Sequence, residues 1–186
     1  LFIYKAMQNA NVFTLQRIAE SYCDLPDYLQ HQFDQTAGNK NKNITQIIAL
    51  SYARNGDFTR ADEELHPQDG SHPPITFAVS YAVTLAQHEE DPSEAYAIAL
   101  EAAVSEKNLD ELERIINSQQ RTGQDTQAAL EQYLLLVQQK KDDEYARYTY
   151  SDRYEKLLLQ SGRVEEALTY VKEEVSNPAV LERVIK

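Results

Sequence analysis

Apolar residues recur along this chain at intervals of three and four. Val12, Leu15, Ile18, Ala19 and Tyr22 form one such stripe, and Leu25, Tyr28, Leu29 and Phe33 form another. Ile44, Ile47, Ile48, Ser51 and Tyr52 make a third. This spacing gathers side chains on one face of a helix. The pattern continues over 58–65, 75–88, 93–105, 109–118, 125–140, 143–160 and 164–175. Ile47 to Leu50 read alone could be a buried strand, but the helical stripe runs on to Tyr52, and no segment sustains strict alternation.

The punctuation agrees with the periodicity. Glycines at 38, 56, 70, 123 and 162, and prolines at 26, 67, 73, 74, 92 and 178, all fall at the edges of the apolar segments. They are the costliest residues in a helix interior, so their exclusion predicts short helices joined by short connections. Asp24 before Leu25-Pro26, Asp91 before Pro92 and Asp125 before the run to Lys140 supply capping carboxylates.

One break recurs. In "LSYARNGDFTRADEEL" a turn at Gly56 is followed by Phe58, Ala61 and Leu65; in "LLLQSGRVEEALTYV" a turn at Gly162 is followed by Val164, Ala167 and Val171. The two glycines lie 106 residues apart, close to three periods of about 34 or 35, as in some helical-hairpin repeats. Weaker copies follow Ala10 (Val12, Leu15, Ala19) and Lys107 (Leu109, Leu112, Ile116).

On these residues the chain resembles the tetratricopeptide-repeat (TPR) family and its TPR-like relatives. Ala49 and Tyr52 match the small and aromatic positions of the first helix; Gly56, Phe58 and Ala61 match the turn and second helix. The likeness covers about 43–65 and 151–175. It departs at Thr45, where the family often has Trp, at Glu155, which replaces a small residue, and at Pro67, which ends the second helix early. The expected fold is therefore all-α, an array of antiparallel helical hairpins (a TPR-like α-solenoid) of roughly nine to eleven helices. It is expected as a single domain over 1–186, cut from a longer chain because it opens at Leu1 and ends in "LERVIK" within helix-like pattern.

Charge narrows the partner classes. Thirty acidic against 18 basic side chains leave a formal net charge of −12, which repels nucleic-acid phosphate unless cations cluster, and they do not. Direct nucleic-acid binding, and with it the pentatricopeptide type of RNA binding, is therefore not expected. No apolar stretch approaches the roughly 20 residues needed to cross a bilayer, so no membrane insertion is expected. Cys23 stands alone, which rules out an internal disulfide and leans towards a reducing, cytoplasmic setting.

Catalytic signatures are missing. His66 and His72 bracket Asp69 in "HPQDGSHPP", but no further ligands at zinc-like spacing accompany them, and the composition is that of a turn. No phosphate loop, nucleophile elbow or paired-Cys motif occurs. No enzyme activity, cofactor or metal is expected.

The most unusual stretch is "DDEYARYTYSDRYEKLL". Arg147, Tyr150 and Tyr154 share a helix face, with Tyr148 and Arg153 beside them. Tyr and Arg are favoured interface anchors, so these five, with Tyr52 and Tyr81, are the expected partner-binding residues, set against a core-packing reading of the same tyrosines. The resemblance implies a non-enzymatic protein–protein interaction module, a scaffold, adaptor or chaperone-like array binding a partner peptide or helix. Its acidity suits basic or apolar partners, and homo-oligomers are compatible with it. The family's clamp for acidic tails is hinted at only by Lys42 and Asn43. The alternative is the peptide-sensing domain of a bacterial transcription regulator or signalling protein.

Overall fold

The computed structural model describes residues 12–34, 42–68, 70–139 and 144–175, with side chains described for all of these except 12–14, 32, 42, 144–148 and 173–175. Among them the chain is all-α, with ten α-helices and no strand.

The chain forms two compact units, Leu1–Ala99 and Leu100–Lys186. The first holds α1 (Val12–Glu20), a 3-10 turn (Tyr22–Asp24), α2 (Asp27–Phe33), α3 (Lys42–Arg54), α4 (Thr59–Leu65) and α5 (Ile75–Gln87). The division falls within α6 (Ser93–Ser105). The second holds α7 (Leu109–Arg121), α8 (Gln127–Gln139), α9 (Glu144–Gln160) and α10 (Val164–Val175).

Within each unit, helices pack on the next helix and on the next but one. In the first unit α3 meets α1, α4 and α5; in the second α9 meets α7, α8 and α10. Next-but-one contact is what a stack of hairpins produces, because the first helix of one hairpin lies against the first helix of its neighbour. The core of the first unit gathers Ala19, Tyr22, Phe33, Ile44 and Ile48, with Leu15, Ile18 and Ile47 packed against them. Tyr22 and Phe33 meet edge to face at 5.9 Å. In the second unit Leu112, Ile115, Ile116, Leu130, Tyr133, Leu157 and Leu158 are buried.

The turn at Gly56 is one of five built alike among the described residues. A left-handed residue follows the helix at Gly56, Glu89, Lys107, Gly123 and Gly162, with φ of 89°, 62°, 52°, 70° and 74°. Each time the next N–H bonds the carbonyl five residues back: Asp57 to Tyr52 at 3.1 Å, Glu90 to Leu85 at 3.0 Å, Asn108 to Ala103 at 3.0 Å, Gln124 to Gln119 at 2.8 Å and Arg163 to Leu158 at 2.9 Å. The left-handed residue's own N–H reaches the carbonyl three back, completing a Schellman C-cap that satisfies the last carbonyls. The Lys107 copy thus uses the same turn as Gly56 and Gly162 without a glycine. Ala61, Leu112 and Ala167, five residues beyond each of these three turns, are all buried. In the copy placed at Ala10, the turn residue lies outside the described residues, while Leu15 is half-buried and Ala19 is buried in α1.

Helix starts repeat too. The N–H groups of Thr59, Ser93 and Gln127 bond the carboxylates of Asp57, Asp91 and Asp125 at 3.2, 3.0 and 2.9 Å, and these aspartates are 34 residues apart each time. The Ser93 hydrogen bonds hold the Asp91 carboxyl below its ordinary value. Asn108 does the same service for Glu111 N–H at 3.2 Å. Asp24 corrects the sequence expectation: it closes the 3-10 turn, and α2 begins after Pro26 with no side-chain cap. Proline already fixes the entering backbone, and its lack of an N–H costs nothing at a helix start.

Candidate functional site

The stripe spacing of α3 that buries Ile44 and Ile48 turns Asn43, Gln46, Ile47 and Leu50 to an adjoining face. There they line a groove whose opposite wall is Pro74 with Thr76, Phe77 and Ser80 of α5, and Gln16 of α1 contributes beside them. The groove encloses about 320 Å³. Its floor is firm: Phe77 is 4% exposed and stacks on Tyr81 at 6.3 Å. Tyr81 is in turn pinned by its hydroxyl donating to Asp62 at 2.5 Å.

None of the described residues lining the groove is ionisable, although 26% of the chain is charged. Its polar groups are amides and hydroxyls. Ser80 Oγ donates to the Thr76 carbonyl at 2.7 Å, which leaves the Ser80 oxygen as an acceptor. Gln46 is 5% exposed, and its Nε2 finds no acceptor among the described residues. A buried donor left unsatisfied costs about 1–3 kcal/mol.

Two other clefts are less suited. One, between α3 and α4, is lined by Asp34, Arg60, Glu63 and Glu64, and two of these are engaged: Tyr22 donates to Asp34 at 2.7 Å, and Arg60 stacks on Tyr52 at 4.1 Å. The other, in the second unit, is floored by Leu134, Tyr154 and Leu158 and rimmed by Glu165 and Glu166. Arg163 already holds Glu166 through two 2.6 Å bonds.

The residues expected to bind a partner fare differently. Tyr81 is fully buried and Tyr154 is 6% exposed, which corrects their placement on a surface. Tyr154 stacks on Tyr133 at 6.0 Å and meets Tyr170 edge-on at 4.9 Å. Burial pushes the hydroxyls of Tyr81, Tyr133 and Tyr154 above the ordinary tyrosine range, as a desolvated phenolate demands. Tyr52 is half-buried between the Tyr22 ring at 5.7 Å and Arg60. Arg153 binds Asp110 at 2.6 Å and Glu113 at 3.3 Å, tying α9 to α7, and lies 5.4 Å from the Tyr150 ring. Arg147 and Tyr148 belong to α9, but their side chains lie outside the described ones.

Among the described side chains of the Tyr- and Arg-rich stretch, Tyr154 thus belongs to the core and Arg153 to an inter-helix tie. No apolar spacing singles out Gln46, which stands between the stripe residues Ile44 and Ile47. The signal was there in the amides of Asn43 and Gln46, one helical turn apart.

No family model, curated protein or solved structure matches the chain. No helix among the described residues is long and apolar enough to cross a membrane. No group of three His, Cys, Asp or Glu among them could hold a metal ion; Asp69 of the His66–His72 loop lies outside the described residues.

Proposed function

We propose that the chain is a non-enzymatic protein-interaction module, a helical-repeat scaffold or adaptor of TPR-like plan, that holds a segment of its partner against α3 and α5. The observation that carries this reading is the α3–α5 groove, floored by Ile47, Leu50 and Phe77 and lined by no ionisable side chain among the described residues. The hairpin packing, the repeated Schellman turns and the 34-residue recurrence of the capping aspartates support the repeat plan. Stacked hairpins offer extended binding faces by geometry, with no need for catalytic groups.

Site-specific photocrosslinking in native extract tests it. A photoreactive residue at exposed Thr76, at the groove mouth, should give defined adducts, and one at exposed Ala128, in α8, should not. Adducts from Ala128 alone, or from neither position, overturn the reading. A short peptide as the sole adduct would place the chain as the sensing part of a regulator.

A further inference from the structure

We propose that Asn55 is a site of spontaneous covalent modification, a one-way loss of its side-chain amide to Gly56 and water that weakens the α3–α4 turn whose opening admits it.

The chemistry needs only these two neighbours and solvent. The Gly56 main-chain nitrogen gives its proton to solvent and attacks Asn55 Cγ, forming a new N–C bond. The Cγ–Nδ2 bond then breaks, Nδ2 leaves as ammonia, and a five-membered succinimide ring remains. Water opens that ring at either carbonyl. One opening gives aspartate at position 55. The other gives isoaspartate, whose main chain runs through the former side chain and is one carbon longer. Nothing is oxidised or reduced.

Three observations select this asparagine. The first is its neighbour. Asparagine is among the thermolabile residues, and a side chain on the following residue hinders the attack. Asn55-Gly56 is the one Asn-Gly pair in the sequence. Asn43, Asn108 and Asn117 precede Ile44, Leu109 and Ser118, all of which are buried. The second is access. Asn55 and Gly56 are both exposed, and a Cβ added at Gly56 would meet nothing within 4 Å. The third is a lock. Asn55 Nδ2 donates to the Ser51 carbonyl at 3.0 Å, and Gly56 N–H donates to the Ala53 carbonyl at 2.9 Å. The closed turn therefore holds both the leaving group and the nucleophile. Reaction awaits a local opening, which an exposed turn undergoes far more readily than the whole unit unfolds.

The product cannot rebuild what it replaces. Aspartate at position 55 has no amide hydrogen for the Ser51 carbonyl, and it sets a carboxylate at the C-terminal end of α3, where the helix dipole opposes it. Isoaspartate lengthens the main chain inside the ring closed by Asp57 N–H and the Tyr52 carbonyl at 3.1 Å, which puts the Schellman bonds out of register. Neighbouring ties share the turn. Asp57 caps Thr59 of α4, and the Arg54 carbonyl accepts from His88 Nε2, at the end of α5, at 3.1 Å. The change thus loosens the junction of α3, α4 and α5.

The test ages the full chain at neutral pH in oxygen-18 water, in buffer and in denaturing urea. Peptide mass spectrometry with electron-transfer fragmentation then reads position 55 and separates isoaspartate from aspartate. Asn55 should be the first of the four asparagines above to lose its amide, with isoaspartate the larger product. The loss should be measurable in buffer and at least tenfold faster in urea. Gly56→Ala, compared in urea where folding plays no part, should slow it at least tenfold. Asn55→Asp should lower the thermal midpoint by a few degrees. Retention of the Asn55 amide in buffer, aspartate without isoaspartate, equal rates in buffer and urea, no effect of Gly56→Ala, or an Asn55→Asp chain as stable as its parent would each overturn the assignment.

Discussion

Glu89 and Lys107 occupy backbone positions that suit glycine, with φ of 62° and 52°. A side chain in the left-handed region crowds its own backbone, at a cost of order 1 kcal/mol. The same turn is built with glycine at Gly56, Gly123 and Gly162. Lys107→Gly and Glu89→Gly should therefore each stabilise by about 0.5–1 kcal/mol, read as a higher urea midpoint at unchanged slope. Gly162→Ala should do the reverse. Its Cβ would meet no neighbour within 4 Å, so the loss would come from the backbone alone.

His66 is the second residue whose surroundings fix its chemistry. Its Nδ1 lies 3.1 Å from the Asp62 carbonyl oxygen and its Nε2 lies 3.1 Å from a Glu94 carboxylate oxygen. Both partners can only accept, so both ring nitrogens must carry hydrogens, and the arrangement is complete only for the imidazolium. The Asp62 carbonyl first, then Glu94, raise the His66 pKa above 6.5. A raised folded-state pKa means that the stabilisation is fully present below about 6.5 and is lost as pH climbs through the folded value. The pair is exposed, so it is worth less than about 1 kcal/mol. Proton NMR titration should place His66 above 6.5, and Glu94→Gln should lower it. An unshifted His66 would show that the contact does not persist in solution.

Between helices, Tyr154 of α9 acts as packing. Tyr154 lies in a three-ring cluster with Tyr133 and Tyr170 that joins α8, α9 and α10. Tyr154→Ala should cost about 3–5 kcal/mol, as removal of a buried aromatic ring does, and should lower the thermal midpoint sharply. Arg153→Ala, which removes partly exposed ion pairs to Asp110 and Glu113, should cost less than about 1 kcal/mol. If Tyr154→Ala left the midpoint unchanged, the stack would not be core. The contrast separates a side chain that fills space from one that only ties two surfaces together.

At the scale of the whole chain, 30 acidic side chains face 18 basic ones. Like charge on a folded chain repels itself, and salt screens it over about 10 Å at 0.1 M. Raising sodium chloride from 20 to 300 mM should therefore raise the thermal midpoint by a few degrees. A flat response would mean that the carboxylates are already compensated locally, as Glu166 is by Arg163. Solubility should fall to a minimum near pH 4.7, the isoelectric point.

The sequence alone determined the helices. Stripes spaced by three and four, with glycine and proline at their edges, placed all ten, because helix formation and its interruption are local events. It also determined the recurring turn, including the Lys107 copy that lacks glycine, since the apolar spacing after a turn survives when the turn residue changes. Only the tertiary structure decided which polar and aromatic residues are buried. Tyr81 and Tyr154, named as candidate anchors beside a core reading, proved to be core, while Gln46, which no spacing singled out, proved to be a buried amide in a groove wall. The physical reason is that burial depends on which helix packs against which face. Helix pairing joins residues far apart in sequence, as Gln46 and Ser80 are, and no local spacing encodes it.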